Sequence, residues 1–274
     1  MPISRANGLD IHYEKAGSGP AFVMLHPLPY DLNCWLFQVA HFSSRFTTLA
    51  IDMRGWGQSD KPTKAFTWRD MCDDIMGVLA DQGFAKDVVV MGCSCGSKIA
   101  LTLGIDHPDV FSAVILAGGN SSAQPWLEPH MNAARDHAAA GTLMTYHRDS
   151  LLRGVLKSWA ETPLGTYLID GFVERGGNLN AESIVRVFEV LISSDLTPSL
   201  ATFKTPLLII NGEHDSAFPG GARTASLVPG AERRILPDAS HCSFLEDPNA
   251  FDAAVQEFLS SKRLWPAAAN ERQA

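Results

Sequence analysis

Short runs of consecutive apolar residues alternate along this chain with stretches whose apolar positions recur every three or four residues. Residues 11–13, after an Asn7-Gly8 turn, then 21–25, 47–51, 87–91, 113–117, 207–210 and 232–236 predict strands. Residues 35–42, 68–79, 98–105 and 251–259 predict amphipathic helices between and after them. Unbroken apolar runs fit strands covered on both faces, and helix–strand alternation of this kind predicts a largely parallel, doubly wound α/β sheet. Such sheets bind ligands beyond the carboxyl ends of their strands, so residues at strand ends carry most weight.

Between 120 and 199 the strand signal stops. Helical candidates at 131–139, 143–159 and 184–192 are separated by Pro163 and by Gly176-Gly177. The stretch is too long for a loop of a compact domain and predicts a helical cap over the site. The expected organisation is a core of 1–119 and 200–264, a cap of 120–199, and a frayed Ala-rich tail of 265–274 in which Pro266 stops the last helix.

Composition narrows the function classes. A chain of 274 residues with 46% hydrophobic content suits one elaborated α/β domain. Its net charge of −8 and the lack of a long Lys/Arg run give no footprint for nucleic acid or an anionic membrane. Charged and polar residues interrupt positions 1–19, so neither a signal segment nor a spanning helix is expected there, and a cytoplasmic location is. Five cysteines (Cys34, Cys72, Cys93, Cys95 and Cys242) make an odd number without a framework, which fits a reducing compartment. Cys93 and Cys95 have no second Cys/His cluster to complete a tetrahedral site, so no metal is expected.

The chemistry starts at Gly92-Cys93-Ser94-Cys95-Gly96, between the strand at 87–91 and the helix at 98–105. Turning from strand to helix at one residue forces Ser94 toward positive φ, leaves room only for small neighbours, and pushes the hydroxyl out at the top of the sheet. With 22 glycines in 274 residues the spacing arises by chance roughly 0.1 times, and its context adds weight. A serine nucleophile needs a base, and the base an orienting carboxylate. The strand at 207–210 runs into Asn211-Gly212-Glu213-His214-Asp215, and that at 232–236 into Pro237-Asp238-Ala239-Ser240-His241. Glu213, Asp215 and Asp238 all qualify as the acid on residue type and place.

These segments, with His26-Pro27-Leu28-Pro29 and the Asp52-Met53-Arg54-Gly55-Trp56-Gly57-Gln58-Ser59-Asp60 turn, resemble α/β-hydrolase-fold enzymes over residues 9–259, in particular enol-lactonase-like and esterase-like serine hydrolases. The resemblance implies a mostly parallel eight-stranded sheet flanked by helices, with the cap inserted after the sixth strand. It implies Ser94 as nucleophile, His241 as base, Asp215 as its orienter, and the backbone NH groups of Leu28 and Cys95 as the oxyanion hole. Pro27 stands where the family usually has glycine; lacking an NH, it presets the loop and leaves Leu28 to donate. A serine at position 94 speaks against the aspartate-dependent dehalogenases and epoxide hydrolases of this fold.

The expected activity is cofactor-independent hydrolysis of a small carboxylic ester or lactone through an acyl-enzyme. His26, Trp126 and Trp159 are candidate substrate contacts. His130, Arg135, His137, His147, Arg148, Arg153 and Lys157 bias the first half of the cap toward positive charge, which admits an anionic substrate. The same residues admit a hydrolase of a C–C bond in a vinylogous diketone, a perhydrolase or acyltransferase, and a ligand receptor on this fold. Monomer and homodimer both stay open.

Overall fold

The computed structural model describes residues 2–267. Eight strands form one sheet: β1 (Ile3–Ala6), β2 (Leu9–Gly17), β3 (Ala21–Leu25), β4 (Thr47–Ile51), β5 (Val88–Cys93), β6 (Phe111–Ala117), β7 (Leu207–Gly212) and β8 (Glu232–Leu236). Their order is β1-β2-β4-β3-β5-β6-β7-β8, antiparallel at β1/β2 and β2/β4 and parallel elsewhere. Helices α1 (Leu36–Phe42), α2 (Trp68–Asp81) and α3 (Cys95–Asp106) lie between the early strands. Then α4 (Glu128–Ala139), α5 (Leu143–Leu152), α6 (Lys157–Ala160), α7 (Pro163–Arg175) and α8 (Ala181–Ser193) separate β6 from β7. The remaining helices are α9 (Phe218–Leu227), α10 (Ser243–Glu246) and α11 (Pro248–Ser261).

The period-two geometry of a strand sorts the apolar runs onto two faces. Val23, Leu25, Leu49, Ile51 and Val90 pack with Ile75 of α2 and Ile99 of α3. Their neighbours Phe22, Met24, Ala50, Val89 and Met91 pack on the other face with Phe42 of α1 and Val255 of α11. The sheet is thus wound on both sides and its central strands are fully buried, as the unbroken apolar runs predict. Among the described residues no helix is long and apolar enough to cross a membrane.

The structure departs from the sequence expectation at several elements. β2 runs to Gly17, beyond the apolar signal at 11–13, because it is half covered and exposes Glu14 and Lys15. The four-residue β1, which pairs beside it, gave no signal of its own. The helix expected at 143–159 breaks at Arg153-Gly154 into α5 and α6. Pro163 begins α7 rather than only separating helices: Thr162 accepts a hydrogen bond from Gly165 N–H as N-cap, and proline at the first helical position loses no bond. The tail also starts later, since Trp265 packs its ring 5.7 Å from that of Phe46 and 6.1 Å from that of Phe42. Residues 268–274 of that tail lie outside the described residues.

Helices α4 to α8 carry a small core of their own, in which Met131, Ala134, Tyr146, Ile184, Val185 and Phe188 meet Trp56 of the β4–α2 loop. Polar ties dock the segment. Arg175 Nε lies 2.7 Å from Asp31 Oδ2, and Asn178 Nδ2 donates to Gly57 O at 2.9 Å. From α3, the buried ammonium of Lys98 donates to Ser122 O at 2.8 Å and to Ser194 O at 2.5 Å, where the chain enters and leaves the segment.

Candidate active site

Ser94 stands between β5 and α3 with φ 52 and ψ −109, the left-handed backbone that the glycine spacing predicts. The flanking glycines are sterically enforced. A Cβ on Gly92 would lie 2.2 Å from the Gly96 carbonyl carbon, and one on Gly96 would lie 2.2 Å from Leu25 O. The turn therefore presses directly on β3, and the serine side chain is left facing outward.

His241 follows β8 and Asp215 follows β7. The imidazole Nδ1 lies 2.8 Å from Asp215 Oδ1. The same carboxylate accepts Ala217 N–H at 2.8 Å and Asn211 Nδ2 at 2.9 Å, so its oxygens are held by three donors. Room for the ring comes from Gly118 at the end of β6, where a Cβ would stand 2.6 Å from His241 Nδ1. Burial raises the Asp215 carboxyl, but the His241 charge and these hydrogen bonds outweigh it and hold the group below its ordinary value. Burial pulls the His241 imidazole down, and the charge and hydrogen bond of Asp215 overcome it and push the group up to about 9.

Glu213 and Asp238, the other two candidate acids, are exposed. With His214 they bring ligand-type atoms within 4.8 Å of one another on the surface, away from the cavity lining. Cys93 and Cys95 are buried free thiols. Burial pushes Cys95 up to about 12 and Cys93 well above its ordinary value, which keeps both protonated and unsuited to redox or metal work.

A cavity of about 180 Å³ lies over this centre, with Leu28, Trp56, Ser94, Trp126, Phe188 and His241 among its walls. No hydrogen bond joins Ser94 Oγ to the His241 ring among the described residues; unliganded nucleophile–base pairs are often loose and tighten with substrate. Among the described residues the Leu28 amide makes no backbone hydrogen bond, and the Cys95 amide, first in α3, has no intrahelical acceptor.

The loop bearing Leu28 is tightly built. His26 Nε2 accepts Met53 N–H at 3.0 Å, so its proton sits on Nδ1, which donates to Pro27 O at 3.0 Å. The ring is fully buried and burial holds it below its ordinary value, hence neutral. Asp52 pins the next stretch by accepting Leu32 N–H at 2.8 Å, Gln58 N–H at 2.9 Å and the His12 ring at 2.7 Å. Arg54 is committed to Asp74, with Nε 2.6 Å from its carboxylate, and does not line the cavity.

Of the expected substrate contacts, Trp126 lines the cavity. His26 does not, because its ring is turned under the loop and both nitrogens are committed there. Trp159 does not either; it packs against the core face that holds α1 and α11. Of the basic residues, Arg135 and Arg148 pair with Glu189 and Asp170 on the surface, whereas His130 and Arg153 line the cavity. Tyr146 and Ser150 line it too and had no sequence signal, since only the break between α5 and α6 and the docking of the segment turn them inward.

A sequence model described as the alpha/beta hydrolase family matches residues 22–254. The chain is 26% identical to 3-oxoadipate enol-lactonase 1 of Acinetobacter baylyi, over 92% of this chain and 93% of that protein. It is 27% identical to epoxide hydrolase 3 of Mus musculus, over 94% of this chain and 76% of that one. Among solved structures, the enol-lactonase from Burkholderia xenovorans superposes with a TM-score of 0.86 at 27% identity, over 94% of this chain and all 100% of that one.

Proposed function

Since the chain belongs to the alpha/beta hydrolase family, we propose that it is a cofactor-independent serine hydrolase that cleaves a small carboxylic ester or lactone through an acyl-enzyme. The observation that carries this reading is the 2.8 Å pair of Asp215 and His241, whose imidazole lines a cavity also lined by Ser94 at φ 52. Substrate closes the remaining gap between hydroxyl and imidazole. His241 Nε2 takes the Ser94 proton as Oγ attacks the carbonyl carbon, Asp215 stabilises the imidazolium, and the proton passes to the leaving oxygen. Water then attacks the acyl-enzyme with His241 again as base, and acid and free Ser94 are returned. Leu28 and Cys95 amides hold the oxyanion, each such donor contributing about 3 kcal/mol to the barrier reduction. Residues 120–199 serve as the cap and supply Trp126, just ahead of α4, and Phe188 of α8 to the apolar wall.

The likeness to an epoxide hydrolase is weighed by the nucleophile's chemistry. A carboxylate that opens an epoxide leaves an ester that water can cleave, whereas serine would leave a stable ether and a dead enzyme. An alcohol at position 94 therefore supports acyl transfer. The enol-lactonase relatives and the cavity volume support a small substrate.

Labelling with a fluorophosphonate, followed by a panel of short esters and lactones, tests the proposal. The label is expected on Ser94, and Ser94→Ala is expected to lower turnover by about 10⁶-fold, the scale seen when a triad nucleophile is removed. Near-normal turnover by that variant overturns the assignment.

A further inference from the structure

Five arginines lie between β6 and β7: Arg135, Arg148, Arg153, Arg175 and Arg186. Four are committed to carboxylates, Arg135 to Glu189, Arg148 to Asp170, Arg175 to Asp31 and Arg186 to Glu182 and Glu189. Arg153 has no acidic partner among the described residues. Its guanidinium donates to Ser150 Oγ and stands 6.0 Å from the Tyr146 ring, and all three residues line the cavity that holds Ser94. His130 lines the cavity as well. Burial and the Arg153 charge hold its imidazole below the ordinary value, so it adds a neutral polar group beside an uncompensated cation.

The position of Arg153 relative to the base is fixed by the backbone. Gly154 O accepts Cys242 N–H at 2.8 Å, so Arg153 and His241 each stand one residue from a shared hydrogen bond. Glu246 adds a second tie, accepting Leu156 N–H and Ser240 N–H, each at 2.6 Å. Both its oxygens are thereby committed away from Arg153. The leaving group departs on the imidazole side, because His241 protonates it, while the acyl oxygen turns toward the Leu28 and Cys95 amides.

Resting on the ester-hydrolase reading above, we infer that Arg153 anchors a carboxylate carried on the leaving-group half of the substrate. The guanidinium fork suits a carboxylate in two-point contact, and a lone cation in a chain of net charge −8 marks this spot as the anion's seat.

Two pairs of isosteric esters test this. O-acetylglycolate and O-acetylglycolamide differ by a charge on the alcohol half, and monomethyl succinate and methyl succinamate by a charge on the acyl half. The wild type is expected to favour O-acetylglycolate over its amide by about tenfold in kcat/KM, the scale of one charge-assisted contact at a solvent-accessible head group. No comparable advantage is expected in the succinate pair. Arg153→Met is expected to abolish the glycolate advantage, mainly through KM, and Arg153→Lys to keep part of it. A glycolate preference that is absent, matched by the succinate pair, or unchanged in Arg153→Met overturns the inference while leaving the hydrolase reading in place. Failure to hydrolyse any of the four esters overturns both.

Discussion

Replacing Asp215 by asparagine removes one charge and leaves the shape of the site almost intact. The wild-type imidazole is held at about 9 against an ordinary value of 6.5 by a carboxylate 2.8 Å away, which outweighs burial acting in the opposite direction. That difference of two to three pKa units corresponds to about 3 kcal/mol of preference for the imidazolium. With the Asp215 charge gone, burial is opposed only by Cys242 and Glu246, so the His241 pKa is expected to fall from about 9 toward its ordinary value. In the mechanism proposed, His241 works as neutral imidazole. In the wild type kcat/KM is therefore expected to climb as pH rises through the alkaline-shifted pKa, and in Asp215→Asn the same limb is expected to move acidward. The plateau itself is expected to drop by about 10⁴-fold, because the amide no longer stabilises the imidazolium or secures its tautomer. Packing favours this outcome: an amide oxygen kept toward His241 and Ala217 turns the NH₂ onto the donor Nδ2 of Asn211, and the reverse orientation satisfies Asn211 but turns the NH₂ onto His241 Nδ1, so neither meets all three donors. The assay is kcat/KM for one neutral ester across pH in both proteins. Coincident apparent pKa values would refute the claim that the carboxylate tunes the base.

Two further predictions concern buried charges away from the cavity. Lys98 is fully buried, and burial, opposed by Cys95 and Asp195, lowers its pKa from 10.5 to about 8. Above that value the unfolded chain binds more protons than the fold, so this group makes the fold more stable as pH rises from about 8 toward 10.5; the melting-temperature gap to Lys98→Met is expected to shift in the wild type's favour, and a constant gap refutes it. Asp252 accepts a hydrogen bond from Gln38 at 3.0 Å, yet burial raises its pKa from 3.8 to about 6. Here the fold binds the extra proton, so stability is lost as pH climbs through that window; Asp252→Asn is expected to gain up to about 3 kcal/mol over the wild type between pH 4 and neutrality, measured by denaturant titration.

Legibility in the sequence followed the range of the forces involved. Ser94 was readable because its turn is largely a local matter, as the 2.2 Å clash of a Gly92 Cβ with the Gly96 carbonyl carbon shows, although the demand on Gly96 comes from Leu25 O of the distant β3. The strands buried on both faces were readable because nothing polar interrupts them, whereas β1 and most of β2 stayed hidden at a half-solvated edge. His26 and Trp159 illustrate the limit of proximity in sequence: one lies beside the oxyanion loop but is turned beneath it, and the other lies in the helical segment but packs on the opposite core face. The acid was ambiguous among Glu213, Asp215 and Asp238 because position after a strand does not reveal orientation. Only Asp215 is buried with its oxygens aimed at His241.

The inward-facing polar residues were the least readable, and under the proposal made above they have the greatest bearing on substrate choice. Tyr146, Ser150 and Arg153 reach the cavity because α5 ends at Leu152 and the chain then bends to hydrogen-bond the His241 loop through Gly154 and Leu156. The peptide that presents the unpaired cation is therefore the one that braces the base. With Arg153 as the proposed anchor and His241 as the proposed base, substrate choice and base alignment share a scaffold, and a mutation in the Arg153–Leu156 turn is expected to perturb both. A swap of this turn for that of another family member is thus expected to change kcat as well as KM. Exchange of the Arg153 side chain alone, which leaves the Gly154 and Leu156 backbone bonds intact, acts mainly on KM. The contrast separates a side chain that meets substrate from a backbone that holds the imidazole.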